Sequence, residues 1–146
     1  MGARSKEFVS VLLTLLSLSH ARTQVELVLE GLHPVPSMIF VAVHNNAQSF
    51  NGQAGEPLKK LKVPHESGTR ATIPIPDLKA GTYAFLVFQD ENGNKLLDRN
   101  LLGIPTEPYG FSGSKGMMLG PPDFEKAKVK VEPGRGAPAR VLITMR

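Results

Sequence analysis

The 146-residue chain contains no cysteine. That excludes disulfides, thiolate-held zinc and cysteine-ligated iron–sulfur clusters. It also removes the residue on which a lipoprotein anchor is built. Long hydrophobic runs are scarce. The longest, Phe8 to Leu18, has 11 residues, against the roughly 20 that a membrane-spanning helix needs. With 14 Gly and 12 Pro, long helices and coiled coils are excluded, because both residues break helix interiors. The charge excess is small, +4. With 41% hydrophobic residues, the chain is too apolar and too weakly charged to be disordered. Its length suits one domain.

What is present first is an address. Arg4 and Lys6 precede the apolar run, and Ser19-His20-Ala21 puts small residues three and one before a cut after Ala21. This is the pattern of a secretory signal peptide. The expected organisation is a signal peptide over 1–21 and a single domain over 22–146, exported to the periplasm or the medium. No stable membrane span is expected after cleavage. Losing Arg4, Lys6 and Glu7 takes the net charge to +3. Lys59, Lys60 and Lys62 form one small basic cluster. Lys126, Lys128 and Lys130 form another, alternating with Ala127, Val129 and Val131 as the solvated face of a strand would. Neither is interleaved with aromatic residues, so no nucleic-acid partner is expected.

The hydrophobic period is 2. Val25, Leu27 and Leu29 alternate with polar residues; Met38 to Val43 is continuously apolar; Ala71, Ile73 and Ile75 alternate again. Pro74 marks an edge strand, because it has no N–H to donate. Tyr83 to Phe88 is apolar on both faces, as a central strand is. Lys126 to Glu132 and Arg140 to Met145 alternate on either side of Pro133-Gly134-Arg135-Gly136, which reads as a hairpin turn. Leu58 to Val63 is a weaker strand. The expected fold is all-β: an antiparallel two-sheet β-sandwich of about seven strands. Lys and Pro on edge strands favour a monomer. A long Gly/Pro/aromatic loop follows the central strand. Arg99 to Glu125 spans 27 residues with five Gly and four Pro, and carries Leu101, Leu102, Ile104, Tyr109, Phe111, Met117, Met118 and Phe124. Loops of this length are functional or disordered. So many apolar residues point to an ordered loop packed on the sandwich.

Between the central strand and that loop runs Asp90-Glu91-Asn92-Gly93-Asn94-Lys95-Leu96-Leu97-Asp98. Asp90, Asn92, Asn94 and Asp98 fall at positions 1, 3, 5 and 9 of a calcium-loop spacing, and Leu96 at position 7 offers its carbonyl. Position 6 is Lys95 rather than Gly, and position 12 is Leu101 rather than Glu. Glu107 replaces the missing carboxylate only if the loop folds back. The alternative is a metal-free turn in which Asp90 and Asn92 cap backbone amides. Calcium is the one cofactor candidate. Ser112 lacks the Gly-x-Ser-x-Gly context of a hydrolase nucleophile, and no His lies near it in sequence.

The stretches Gly81 to Ala84, Asp90 to Asn94, Gly103 to Ser112 and Pro121 to Phe124 resemble the bacterial exported domain of unknown function 2141 family. Family members commonly have Gly at the position of Lys95. The resemblance implies a transthyretin-like or carboxypeptidase-regulatory-like β-sandwich and no known activity. The leading expectation is a non-enzymatic binding or accessory module of the bacterial envelope. Its partner is an envelope component or a small ligand, and its working surface is the end of the sandwich carrying 90–98 and 101–112, with Glu107, Tyr109, Phe111 and Ser112 as the candidate binding residues. Tyr109 and Phe111 serve either as a binding platform or as a plug that holds the long loop down. The alternatives are a small hydrolase using Asp90, Asp98 and Glu107, and a purely structural envelope component.

Overall fold

The computed structural model describes residues 23–113, 120–132 and 137–146. The proposed signal peptide over 1–21, Met117 and Met118 of the long loop, and the Pro133–Gly136 turn lie outside them. Among these residues eight strands form: β1 (Thr23–Glu30), β2 (Ser37–His44), β3 (Lys59–His65), β4 (Arg70–Leu78), β5 (Gly81–Asp90), β6 (Tyr109–Phe111), β7 (Val129–Val131) and β8 (Ala139–Thr144). Two single-turn helices join them, α1 (Ala47–Phe50) and α2 (Phe124–Ala127).

Two sheets pack face to face, so the chain is an all-β sandwich. One has three strands in the order β4-β1-β8; the other has five, with the path β3-β2-β5-β6 and β7 paired to β5. Alternation decides which residues enter the core. Val25, Leu27 and Leu29 of β1, Ile73 and Ile75 of β4 and Ile143 of β8 meet Ile39, Val41 and Val43 of β2 and Phe85 and Val87 of β5. β4 is an edge strand, so Pro74 and Pro76 cost no inner ladder bond. β5 is central and apolar on both faces.

Two expectations about the C-terminal third are corrected. β7 and β8 are not a hairpin: β7 pairs with β5, while β8 crosses to the other sheet and runs parallel to β1. That parallel pairing is the exception in an otherwise antiparallel fold. The strand expected over Lys126 to Glu132 is shorter, because α2 takes up Lys126 and Ala127. Phe124 and Ala127 instead form a second apolar cluster with Ala84, packed against Ala47 and Phe50 of α1. This cluster sits on the outer face of the larger sheet, over one end of β5. The two sheets also meet at one side, where Tyr109 and Arg146 exchange backbone hydrogen bonds, 3.1 and 2.9 Å. Gly110 permits that approach. A Cβ there would lie 2.6 Å from Ile143 Cγ2 and 2.9 Å from the Thr144 carbonyl oxygen.

Candidate functional site

The register of the larger sheet sets the floor of a site. Phe40, Phe88 and Tyr109 align across β2, β5 and β6, and Ala42, Leu86 and Phe111 form the next row. On β2 and β5 these are the outward-facing neighbours of the core residues. Phe40 and Phe88 stack at 5.0 Å, and the Lys62 ammonium lies 5.5 Å from the Phe40 ring centre. Tyr109 and Phe111 meet edge-on at 5.9 Å, and Phe50 reaches Phe111 at 6.1 Å. A half-buried apolar strip thus runs over the outer face of the sheet.

Part of that strip is walled into a cleft of about 600 Å³. Leu86, Tyr109 and Phe111 form its floor. Phe50 to Gly52 and Gly120-Pro121 border it, as do Leu97, Arg99 and Gly103 to Pro105. α1 is held in place by its cap: Asn46 Oδ1 accepts from the Ser49 amide at 3.0 Å. Asn51 Oδ1 accepts from the Phe124 amide at 3.2 Å and ties α1 to α2. His44 Nδ1 and Ser49 Oγ, both buried, are hydrogen-bonded at 3.0 Å. Burial, and then the Lys60 charge, lower the His44 pKa below the ordinary imidazole value.

The opposite wall is a short self-contained turn. Arg99 and Pro105 form an isolated bridge, and the Thr106 amide donates to the Asp98 carbonyl at 2.8 Å. Asn100 Oδ1 accepts from the amides of Leu102 and Ile104, 2.9 and 3.1 Å. Arg99 Nη1 donates to the Gly103 carbonyl at 2.9 Å, leaving the guanidinium beside the cleft. Leu101, Leu102 and Ile104 do not pack on the sandwich as their apolarity suggests. They are exposed, Leu102 at 84%. The turn closes on its own backbone, so nothing draws these side chains back to the sheet.

Loop 90–98 forms a chain of side-chain-capped turns. Asp90 is buried; its Oδ1 accepts from the Gly93 amide at 2.8 Å and its Oδ2 from the Lys95 amide at 2.9 Å. Asn92 and Asn94 cap the amides of Asn94 and Leu96, 3.0 and 2.9 Å. The Asn92 and Asn94 side-chain amides both donate to the Asp98 carboxylate, so these three side chains converge. Lys95 takes φ +66°, the left-handed turn that Gly adopts most easily. The loop does fold back on Glu107. Glu107 Oε1 accepts from the Glu91 amide at 2.9 Å and Oε2 from the Asp98 amide at 3.1 Å. Among the described residues, no three His, Asp or Glu side chains form a metal-holding group.

Of the residues expected to bind, Tyr109 and Phe111 face the cleft, whereas Glu107 and Ser112 do not line it. Glu107 is buried under loop 90–98 as a staple across its two ends. Ser112 is fully buried; its Oγ donates to the Ala127 carbonyl at 2.6 Å and accepts from the Phe85 amide at 2.8 Å. A hydroxyl so engaged reaches no ligand. Next to it, Gly113 has φ +71°, and a Cβ there would stand 2.3 Å from the Lys126 carbonyl oxygen. Leu97 and Ile104 fall within the expected surface, whereas Phe50, Leu86 and Arg99 complete the cleft without having been singled out. Leu86 had a signal, since it lies on the outward face of a strand apolar on both sides.

A family model described as an uncharacterized protein conserved in bacteria (DUF2141) matches residues 27–137. The chain belongs to the domain of unknown function 2141 family. The matched span runs from β1 to the approach of β8, so it takes in the cleft, loop 90–98 and the Leu101–Ile104 turn. No curated protein matches the chain. No solved structure matches it either.

Proposed function

We propose that this family member is an exported, non-enzymatic binding module of the bacterial envelope whose ligand occupies the cleft over β5 and β6. One observation carries the reading: an apolar cleft of about 600 Å³ with Arg99 as the one cation on its wall among the described residues. That volume lies within the roughly 300–1,000 Å³ typical of small-molecule sites. The chemistry it fits is an amphipathic anion. The apolar body would lie on Leu86, Tyr109 and Phe111, and the anionic head would meet Arg99. The N-terminal pattern supports export. The lining residues support a binding role, since among the described residues no carboxylate, His or Ser lines the cleft to act as acid, base or nucleophile. Asp90 and Glu107 spend their oxygens on backbone amides instead.

The test is a titration of the exported chain with a naturally fluorescent long-chain fatty acid, cis-parinaric acid. Saturable binding is expected, weakened at least about tenfold by Ile104→Glu, which puts a charge in the cleft at an already exposed position. Arg99→Gln should weaken the acid more than the corresponding alcohol. Absence of saturable binding, or wild-type affinity in Ile104→Glu, refutes the assignment.

The convergence of Asn92, Asn94 and Asp98 favours a second reading, a calcium ion held by loop 90–98. Asp90, Asn92, Asn94, Asp98 and the Leu96 carbonyl would supply hard oxygen ligands. The rival use of the same groups is the metal-free capped turn. Calorimetry after chelation separates them. Saturable calcium heat that disappears in Asp98→Ala supports the ion; silence up to millimolar calcium leaves the turn.

A further inference from the structure

We propose that the ligand of the cleft is an elongated amphiphile with an anion at each end, lying across the outer face of the larger sheet from Arg99 to Lys60 and Lys62. This rests on the cleft reading and deepens it by naming what the far end of the ligand meets.

The sheet supplies the path. Outward positions on neighbouring strands fall in rows. One row is Lys62, Phe40, Phe88 and Tyr109, and the next is Lys60, Ala42, Leu86 and Phe111. The rows differ in height. Phe40 and Phe88 stack at 5.0 Å and form a ridge. Ala42, half-buried, adds a single carbon to the floor. On its other side His44 follows two residues on, and its ring meets that of Phe50 at 5.4 Å. Leu86 of the cleft floor is therefore continued by low ground over Ala42, between two aromatic banks, and this trough ends at Lys60. From β6 to β3 the crossing is three strand spacings, about 14 Å.

Charge marks both ends of the path. Arg99 stands at the cleft end. At the other end Lys60 lies opposite Ala42 and Lys62 opposite Phe40 in the ladder, and both lysines are exposed. The Lys62 ammonium lies 5.5 Å from the Phe40 ring centre, and among the described residues no carboxylate pairs with it. Lys60 meets Glu56 at 2.5 Å, with both side chains largely in water. A pair so exposed is weak and can be exchanged for an anion of the ligand. The strands themselves oppose no anion. Asp90 is the only acid on β2, β3, β5 and β6, and its two oxygens hold the Gly93 and Lys95 amides. A long monoanion bound through Arg99 would lay its apolar tail against two ammonium groups and strip their water without replacing it. A second anion at that end replaces it.

Calorimetry of the exported chain with tetradecanedioate and with tetradecanoate tests the proposal. The diacid is expected to bind at least about tenfold more tightly than the monoacid. The double variant Lys60→Gln, Lys62→Gln should abolish that preference and leave the monoacid bound. Lys59→Gln should keep it, because the Lys59 ammonium on the same strand donates to the Pro76 carbonyl of β4 instead. Ala42→Leu should fill the trough and weaken the diacid at least about tenfold. Equal affinity for the two acids overturns the proposal, as does a preference that survives the double variant or that Lys59→Gln removes equally well. In those cases the monoacid still binds and the cleft reading stands. Binding of neither acid overturns both.

Discussion

Replacing Glu107 with alanine should be among the most damaging single changes outside the hydrophobic core. Its carboxylate accepts two backbone amides from opposite ends of loop 90–98, Glu91 at 2.9 Å and Asp98 at 3.1 Å, and the residue is buried. Hydrogen bonds to a charged group contribute about 1.5–3 kcal/mol each, and a buried donor left unpaired costs about 1–3 kcal/mol. Both amides are only partly buried, so water recovers some of the loss. The expected cost is about 2–4 kcal/mol, against a total of roughly 5–15 kcal/mol for a domain. At this chain length that lowers the melting temperature by roughly 10 °C. Glu107→Gln keeps one carbonyl acceptor and should cost about half as much. The assay is thermal unfolding by circular dichroism, with hydrogen exchange at the Glu91 and Asp98 amides. An exposed ligand-binding carboxylate would give a change within about 0.5 kcal/mol. A melting temperature within a degree or two of wild type, with both amides still protected, would refute the staple.

Three further outcomes follow from the geometry. Gly110→Ala should destabilise by about 1–3 kcal/mol in denaturant titration, because the added Cβ would lie 2.6 Å from Ile143 Cγ2. Lys95→Gly should stabilise by about 0.5 kcal/mol, since relief of the left-handed φ of +66° outweighs the entropy that glycine adds to the unfolded chain; an unchanged midpoint would contradict this. His44 binds its proton less tightly folded than unfolded, because burial and then Lys60 lower its pKa. Its contribution is therefore present above the unfolded value near 6.5 and is lost as pH falls below it. The melting-temperature difference between pH 7.5 and pH 5 should shrink in His44→Gln.

The period-two pattern made the sandwich legible, and single residues located particular strands within it. Pro74 lies on an edge strand and Tyr83 to Phe88 on the central one, for the reasons that their chemistry dictates. Pairing partners were less legible. The Pro-Gly turn before β8 implies a local hairpin, yet β8 runs parallel to β1 about a hundred residues earlier in the chain. Turn chemistry reports the bend, and the sheet that a strand joins depends on distant residues. The same holds for polar groups. Ser112 bonds Phe85 and Ala127, and Glu107 bonds Glu91. No spacing rule announces such contacts. Leu101 and Leu102 show the reverse limit: apolarity suggests burial, but a turn closed through Asn100 holds both leucines in water.

The central claim, that the cleft over β5 and β6 holds a ligand, is most directly tested by amide nuclear magnetic resonance of the exported chain during a titration with cis-parinaric acid. The account predicts saturable shifts clustered at residues 50–52, 86, 97–105 and 109–111, which line or border the cleft. No shifts, or shifts confined to the smaller sheet, would contradict it.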